Sequence, residues 1–339
     1  MKLMTFTVPC YNSAAYMHIC VESLLKGGED VEIIIINDGS KDETGKIADA
    51  FAEKYPSIVR VVHQENGGHG EGINQGIAHA TGKYFKVVDS DDWVNENALH
   101  AVLNKLKRLE ATGGVDLMVC NYVYEHEDKR LNSTIRYGNV FPEGKVVGWE
   151  DTKPFMINQY LTLHSAIFRT QMLRDCGVVL PKHIFYEDNL FVYTPLTLVK
   201  KICYLDQDFY RYLIGREGQS VSEEMMKKRY HHQIQITETI FKTHDIAAFT
   251  RTNKKLGKYL YHETRCMIAI ATMFARLCKT DETEAAFLAM RDRCIAHDPV
   301  MGKKLFDRSL LFFITRPGKF GRALSIGFYR LAHKVVKFN

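Results

Sequence analysis

Short apolar runs and helical patterns alternate along the first 125 residues of the chain. Strands are predicted where β-branched and aromatic residues form brief runs, and helices where apolar residues recur every three or four positions. Several runs are apolar on both faces, which is typical of buried parallel strands separated by helices. The predicted strands are residues 3–8, 31–36, 58–62, 84–88 and 116–124. The pattern therefore indicates an α/β fold built of βαβ units around a largely parallel sheet.

A helix is predicted between the second and third of these strands. Ser40 and Glu43 match the capping-box pattern, in which two side chains satisfy free amides at the start of a helix. Ile47, Phe51 and Tyr55 then follow at helical spacing. We therefore expect a helix that is capped at Ser40 and packs on the sheet.

The pattern changes further along the chain. Glycine and proline interrupt residues 126–222, and long helical periodicity follows. The apolar stripe of one such helix, residues 256–277, is interrupted by Glu263. At about 100–200 residues per domain, a chain of 339 residues suggests two units. We expect a first domain over residues 1–222, a helical region over 223–302 and a tail over 303–339.

Composition narrows the class of protein. Hydrophobic residues make up 46% and charged residues 25% of the chain, as in ordinary globular proteins, so a disordered or coiled-coil chain is excluded. The eight cysteines form no C-x-x-C pair and no charged and apolar leader opens the sequence, which predicts reduced thiols in a cytoplasmic protein. The longest apolar runs fall far short of the roughly 18 residues of a membrane-spanning helix. We expect neither a transmembrane segment nor a nucleic-acid partner.

The net charge of +5 is unevenly distributed. Residues 303–339 carry +8, and the rest of the chain carries −3. Apolar residues recur at helical spacing in this tail while cations occupy another face, which predicts a basic amphipathic helix lying on an anionic membrane surface. Packing of the tail on the body, or between copies in a homo-oligomer, is the alternative. The apolar positions are Leu324, Phe328, Leu331, Val335 and Phe338, and the cations are Arg330, Lys334 and Lys337.

Polar residues and glycines follow several predicted strands, where ligands bind in open α/β sheets. After the fourth strand, Asp89 and Asp91 can point the same way from an extended segment and form an oxygen-rich site for Mg²⁺ or Mn²⁺ with phosphate ligands. A solvated acidic turn that caps the next helix is the alternative for this segment. After the second strand, Asp38 belongs either to such a ligand site or to an ordinary turn that starts a helix.

The glycine-rich segment over residues 66–72 differs from two nucleotide-binding motifs. Ile73 and Gln75 stand where the G-x-G-x-x-G pattern requires glycine, and the phosphate loop ending in Gly-Lys-Ser/Thr is absent. Backbone amides of such a segment can still approach an anion at the start of a helix. A flexible turn is an equally good interpretation of the segment taken alone.

Two further segments carry candidate chemistry. Glu187 and Asp188 lie among apolar and aromatic residues, where a carboxylate gains proton affinity and suits a general base. The alternative is a helix cap, the commoner use of aspartate before an apolar run. Arg216 and Ser220 can close over phosphate oxygens, although Ser220 and Glu223 also match a capping box. The histidines show no spacing with the carboxylate or cysteine support of a zinc site.

Taken in order, these motifs resemble glycosyltransferase family 2, inverting enzymes of the glycosyltransferase A fold that use nucleotide-diphosphate sugars. The resemblance covers roughly residues 3–222. It implies a Rossmann-like, mostly parallel central sheet with helices on both faces, followed here by a C-terminal helical extension. The matching segments are residues 7–12, 37–42, 66–74, 89–92 and 187–188.

The resemblance implies a role for each matching residue. Asp188 matches the catalytic base, while Asp89 and Asp91 match the motif for metal and ribose, with Asp91 as the direct ligand of Mn²⁺ or Mg²⁺. Asp38 matches a carboxylate that accepts a hydrogen bond from a uracil ring nitrogen. The donor-site positions are Pro9, Tyr11 and Asp38 around the nucleoside, Gly67, Gly68 and Asn74 beside the nucleotide, and Arg216 and Ser220 over the diphosphate.

Two departures from the family pattern affect the expected activity. Ile73 stands where many members have arginine, and the Q-x-x-R-W motif of processive synthases is absent, which favours addition of a single sugar. The resemblance implies a hexosyltransferase that moves sugar from a UDP-linked donor to a glycan or lipid-linked acceptor in cell-surface polysaccharide or glycolipid assembly. We expect it in the cytoplasm, attached peripherally to the inner face of the cell membrane.

Two other classes of function compete with this one. A nucleotidyltransferase is disfavoured because no lysine-rich loop follows the first strand. A catalytically silent module that binds sugar nucleotides or membrane is disfavoured by intact Asp89, Asp91 and Asp188. Sugar transfer is therefore the leading hypothesis.

Overall fold

The chain folds into two compact units. The first contains the described strands, and the second is helical in its described part. The first unit comprises residues 1–154 and 161–214, and the second comprises residues 155–160 and 215–339. The computed structural model describes residues 2–215, 222–309 and 311–336.

A single ten-stranded sheet forms the centre of the first unit. The strands are β1 Met4–Cys10, β2 Val31–Asp38, β3 Val59–Gln64, β4 Tyr84–Val87, β5 Trp93–Val94, β6 Leu117–Glu125, β7 Ser133–Ile135, β8 Val146–Val147, β9 Ala166–Arg169 and β10 Ile202–Leu213. The α-helices of this unit are α1 Met17–Leu25, α2 Thr44–Lys54, α3 His69–His79, α4 Glu96–Glu110, α5 Thr170–Asp175 and α6 Asp188–Tyr193.

The pairing of the strands determines where the motif segments meet. Strand β1 pairs in parallel with β2 and β4, and β2 pairs in parallel with β3. Helices α1, α2 and α3 return the chain between these parallel strands. The carboxyl ends of the strands therefore lie at one edge of the sheet. Strand β9 is antiparallel to both β4 and β6, and β6 continues into a parallel ladder with β10. The strand order is β3-β2-β1-β4-β9-β6-β10-β5.

The five predicted strands are confirmed as β1, β2, β3, β4 and β6, and the longest ladders of the sheet are parallel, as the α/β class requires. The predicted capping box is wrong. Helix α2 begins at Thr44, whose amide donates to Asp42, while Ser40 accepts from the amide of Asn12. A carboxylate accepts a stronger hydrogen bond than a hydroxyl does, so Asp42 rather than Ser40 accepts from the first amide of the helix. Ser40 instead connects the loop after β2 to the loop after β1.

The second unit consists of helices in the part of it that the structure describes. These are α7 Glu223–Lys228, α8 Tyr230–Thr243, α9 Ile246–Thr252, α10 Lys254–Leu277, α11 Asp281–His297, α12 Pro299–Asp307, α13 Phe312–Thr315 and α14 Gly318–Val336. Ser222 caps α7 by accepting from the amide of Met225. Across the described ranges, every helix is too short or too polar to cross a lipid bilayer.

A buried arginine holds part of the basic tail within this helical unit. Arg276 on α10 pairs with Glu284 on α11, with Nη2 and Oε1 2.9 Å apart. It also donates to the carbonyl oxygens of Ile314 and Arg316 and to the hydroxyl of Ser325 on α14. The start of the tail therefore packs on its own unit, as the alternative interpretation of its sequence proposed.

Candidate active site

The two predicted donor-site residues at the end of β1 differ in exposure. Pro9 is buried under helix α3, and Gly72 allows this close approach because a Cβ atom there would lie 3.0 Å from the Cβ of Pro9. Tyr11 follows the strand and is 48% exposed. Pro9 is therefore part of the packing beneath this edge of the sheet, whereas the ring of Tyr11 is accessible to a ligand.

Asp38, at the end of β2, holds the glycine-rich segment in place. Its Oδ1 accepts from the amide of Gly67 at 2.7 Å and from the side chain of Gln64 at 2.6 Å. Its Oδ2 accepts from the amide of Gly68 at 2.9 Å and from the side chain of Asn66 at 3.0 Å. A carboxylate has about four lone-pair sites, so these four donors occupy it. The structure thus favours an ordered loop over a flexible turn.

Helix α3 places the next two motif residues in different surroundings. Ile73, in the position where many family members have arginine, is fully buried. The side chain of Asn74 clamps the backbone of Leu180, with its Nδ2 donating to the carbonyl at 3.0 Å and its Oδ1 accepting from the amide at 2.9 Å. Asn74 therefore joins the helix to the segment that leads to the candidate base.

His69, the first residue of α3, connects three motif segments. Its Nε2 lies 2.8 Å from Oδ1 of Asp89, and its Nδ1 lies 2.7 Å from Oε1 of Glu187. Both ring nitrogens can donate together only when the imidazole is protonated. Burial alone would lower the pKa of His69, but the two carboxylates hold it well above its ordinary value. A single cation thus bridges the acidic motif and the residue before the candidate base.

Glu187 and Asp188 stand at the start of α6. Glu187 is 2% exposed and packs against Gly70, where a Cβ atom would lie 2.8 Å from its Cγ. Neither carboxylate caps the helix, so the helix-cap interpretation is wrong. Burial, followed by the charge of Glu187, raises the pKa of the half-buried Asp188 to about 7. A carboxylate with this pKa can accept a proton near neutral pH, as a general base must.

The acidic motif after β4 divides into an anchor and a ligand site. Asp92 is buried, and its oxygens accept from the hydroxyl of Tyr210 at 2.7 Å and from the amide of Leu213 at 3.0 Å, which ties the motif to β10. The side chain of Asp89 is 25% exposed; burial acts to raise its pKa, but the adjacent imidazolium lowers it to about 2. Asp91 is half-buried. Asp89 is therefore an ionised carboxylate at the edge of the sheet.

A cluster of candidate metal ligands includes a histidine that the sequence reasoning did not identify. Asp89, Asp92 and His164 have ligand atoms within 4.8 Å of one another, and Asp91 is not part of this cluster in the portion of the chain that the structure describes. Burial lowers the pKa of His164 to about 4, so its imidazole is neutral at pH 7, as a metal ligand must be. Carboxylate and imidazole donors suit a divalent ion, so these residues fit the metal that the family resemblance implies.

Two predicted site residues lie outside the described part of the chain, and three residues at or near the site were not predicted. Arg216 and Ser220 lie outside the described residues. His69 lies inside the matching segment 66–74, but its role was missed because its partner Glu187 is 118 residues away in sequence. His164 was missed because it lies outside every matching segment. Lys86 was missed as well, although a lone cation inside the buried strand β4 was a usable signal: its Nζ donates to backbone carbonyls of the turn that carries His164.

A family model and a curated protein both match much of this chain. The model of the family described as glycosyl transferase family 2 matches residues 5–173. The chain is similar to a protein of Bacillus subtilis (strain 168) called glycosyltransferase EpsH, with 29% identity over 325 residues. This similarity covers 88% of the present chain and 84% of that protein.

Two solved structures share the fold. One is S. aureus TarS 1–349 in complex with UDP-GlcNAc, with a TM-score of 0.58, 21% identity, and coverage of 90% of this chain and 91% of that one. The other is the mannosyltransferase PcManGT from Pyrobaculum calidifontis in complex with GDP-Man and Mn²⁺, with a TM-score of 0.54, 17% identity, and coverage of 89% and 84%. The shared fold is the glycosyltransferase A fold. Together with the family match and the similarity to EpsH, it shows that this chain is an enzyme of glycosyltransferase family 2.

Proposed function

We propose that this enzyme transfers a hexosyl group from a UDP-linked donor to an acceptor hydroxyl with inversion at the anomeric carbon. The observation that carries the proposal is the half-buried carboxylate of Asp188, whose pKa is raised to about 7 at the sheet edge where the motif segments meet. An inverting transfer needs such a base, because the acceptor hydroxyl must lose its proton as it attacks. The UDP donor is supported by the family resemblance and by the similarity to TarS, which was solved with UDP-GlcNAc.

In the proposed reaction, the acceptor oxygen attacks the anomeric carbon from the face opposite the nucleotide. Asp188 takes the hydroxyl proton while the bond from the anomeric carbon to the diphosphate breaks. His69 holds the neighbouring Glu187 in place, and this contact fixes the start of the helix that carries the base. General-base catalysis of this kind contributes about 10²–10⁴-fold to a rate.

The donor site in this proposal lies along the same edge. We propose that Tyr11 contacts the nucleoside and that Asp38 acts on the nucleotide by ordering the loop at Gly67 and Gly68. A divalent ion, Mn²⁺ or Mg²⁺, is proposed to be held by Asp89 and Asp91; when bound, it offsets charge on the departing diphosphate. The similarity to PcManGT, solved with Mn²⁺, supports the metal.

Asp188→Asn tests the catalytic assignment. The amide keeps the size of the side chain but cannot accept the proton, so turnover should fall by about 10²–10⁴-fold. Affinity for UDP, measured by calorimetry, should stay close to that of the wild type. Asp175→Asn on α5 removes an exposed carboxylate and is the matched control. Normal transfer by Asp188→Asn would refute the assignment, and product analysis by NMR would show whether the anomeric configuration inverts.

We also propose that the acceptor belongs to cell-surface polysaccharide or glycolipid assembly at an anionic membrane, which the basic tail binds. Phe313 and Phe320 are 57% and 66% exposed, so two aromatic rings of the tail are available to the apolar part of a membrane surface. Exposed cations accompany them, and each can add about 1 kcal/mol to binding of an anionic bilayer. These cations are Lys303, Lys304, Arg308 and Arg316.

Substitution of the two aromatic residues tests membrane binding better than truncation does, because truncation would remove partners of the buried Arg276. The variant Phe313→Ser/Phe320→Ser should bind vesicles containing an anionic lipid at least about tenfold more weakly than the wild type in a flotation assay. Val300→Ser, which replaces a 78% exposed residue on α12, is the control. Equal, salt-insensitive binding of all three proteins would contradict the proposal.

A further inference from the structure

The ring of His164 has no role in the function proposed above. Its Nε2 lies 4.0 Å from Oδ2 of Asp89, which is beyond hydrogen-bonding distance. Its Nδ1 is buried and has no hydrogen-bond partner in the ranges that the structure describes. Burial of polar atoms without partners costs free energy, so the placement of this ring requires an explanation.

Three contacts nevertheless fix the position of His164. Its ring stacks on that of Tyr212 with 4.6 Å between centroids, and it lies 4.8 Å from the ring of Tyr210. Below it, the buried Lys86 donates to the backbone carbonyls of Leu163 and His164. The imidazole is therefore held in a defined orientation without using its own nitrogens, as is typical of a side chain arranged in advance for a ligand.

The other atoms of the cluster are already engaged. Oδ1 of Asp89 lies 2.8 Å from Nε2 of His69. Both oxygens of Asp92 accept hydrogen bonds from β10. The single proton of the Tyr210 hydroxyl is closer to Asp92, at an oxygen separation of 2.7 Å, than to Oδ2 of Asp89 at 3.4 Å. Within the described residues, Oδ2 of Asp89 and the ring nitrogens of His164 are thus the donor atoms of this cluster that stay open to a ligand, and Nε2 is the nitrogen that lies 4.0 Å from Oδ2.

We propose that His164 is a nitrogen ligand of the divalent ion that Asp89 holds, so that the metal site combines imidazole and carboxylate. This inference rests on the proposed function, since it concerns the ion of the same site. Mg²⁺ prefers oxygen ligands, whereas transition-metal ions accept imidazole. The site therefore binds Mn²⁺ more tightly than Mg²⁺, and it loses this preference when His164 is replaced.

Pulsed EPR of Mn²⁺ bound to the full chain with saturating UDP tests the proposal. The wild type should show coupling to a histidine nitrogen that changes when histidine is labelled with ¹⁵N. His164→Phe should lack this coupling and bind Mn²⁺ about tenfold more weakly. Its Mg²⁺ affinity should stay unchanged, so Mg²⁺ should displace Mn²⁺ at about a tenfold lower concentration ratio than in the wild type. His100→Phe, which replaces an exposed histidine on α4, should match the wild type.

The outcomes separate the inference from the function on which it rests. A nitrogen coupling that persists in His164→Phe, or an unchanged Mn²⁺ affinity, would overturn the assignment of His164. Mn²⁺ binding by the wild type without any histidine coupling would do the same and leave the metal dependence intact. If the wild type binds no Mn²⁺ at all, both the metal dependence and this inference fail. Absence of the coupling in the labelled wild type overturns the assignment even if a variant misfolds, and His164→Gln provides a second, polar replacement.

Discussion

Burial raises the proton affinity of a carboxylate in both units of the molecule, with different consequences. In the first unit, Asp188 is half-buried at the sheet edge, and its pKa rises to about 7. In the helical unit, Glu263 is fully buried, and its pKa rises to about 8 against a lowering effect of Tyr259. A similar perturbation thus occurs at an accessible edge and in a closed core.

A raised pKa alone therefore does not identify a catalytic residue. Asp188 adjoins a network in which His69 links two motif carboxylates, and all of these groups gather where parallel strands end. Glu263 lies on a buried face of α10 and is not accessible to solvent. The pair of Arg276 and Glu284 is likewise buried and is closed by hydrogen bonds within the helical unit. Accessibility and proximity to other motif residues therefore distinguish the candidate base Asp188 from the buried Glu263.

The largest expected effect comes from breaking the buried ion pair of Arg276 and Glu284 in the helical unit. Arg276→Leu leaves Glu284 and the carbonyl oxygens of Ile314 and Arg316 without their arginine donor, which should cost about 3–5 kcal/mol of unfolding free energy. Urea unfolding at neutral pH measures the loss. Arg293→Leu breaks a pair between an exposed arginine and the partly buried Glu238, which keeps its second cation Lys242, and should cost at most about 1 kcal/mol. Equal losses in the two variants would show that burial does not distinguish these pairs.

At the sheet edge, the pH dependence of transfer tests Asp188 directly. Below its pKa of about 7 the carboxyl is protonated and cannot accept a proton from the acceptor. Turnover at saturating donor should therefore rise with pH, fall about tenfold for each pH unit below about 7, and level off above about pH 8. Asp175→Asn should give the same profile as the wild type. A flat profile across this range would contradict the raised pKa of the base.

Glu263→Gln tests the corresponding group of the helical unit. The folded state holds a proton up to about pH 8, whereas the unfolded state releases it near the ordinary value of 4.5, so wild-type stability should fall as pH rises between these values. The fall is at most about 1.4 kcal/mol per pH unit. The glutamine variant cannot ionise, so its stability relative to the wild type should increase toward pH 8. Urea unfolding at several pH values measures this, with exposed Glu282→Gln as control.

The pattern of apolar residues predicted the parallel strands because burial on both faces leaves consecutive apolar residues in the sequence. It did not predict β10, the long strand that pairs with β6. Asp206 and Asp208 interrupt the apolar pattern of that strand, and the structure accommodates them through hydrogen bonds from Asn121 and Arg136. Such compensation comes from residues 70–87 positions away, so no local pattern reveals it.

In the candidate site, too, individual residues could be predicted from the sequence but the contacts between them could not. Asp38, Asp89 and Asp188 were predicted because each follows a strand or begins a helix at a motif position. The contacts between the motifs were not predictable, since His69 meets Glu187 across 118 residues of sequence. The pattern also gave no sign that the oxygens of Asp38 are taken by the neighbouring loop. The sequence therefore predicted candidate residues, whereas the hydrogen bonds that constrain them required the fold.

Asp38→Asn is expected to have the smallest effect, on nucleotide affinity. The amide would place its own N–H donors against donors that the carboxylate now accepts, including the amides of Gly67 and Gly68. The loop should lose part of its order, and UDP should bind about tenfold more weakly, which corresponds to about 1.4 kcal/mol. Calorimetric titration with UDP measures this change, and thermal unfolding checks that the variant remains folded.

Titration with CDP separates two roles of Asp38. If the carboxylate acts through the loop, Asp38→Asn should weaken binding of UDP and CDP by the same factor, because the loop does not depend on the base. If it accepts directly from uracil, only UDP binding should weaken, since cytosine has no proton on that ring nitrogen. The four donors that already occupy Asp38 favour the first outcome. A loss confined to UDP would show that a donor leaves the carboxylate when the nucleotide binds.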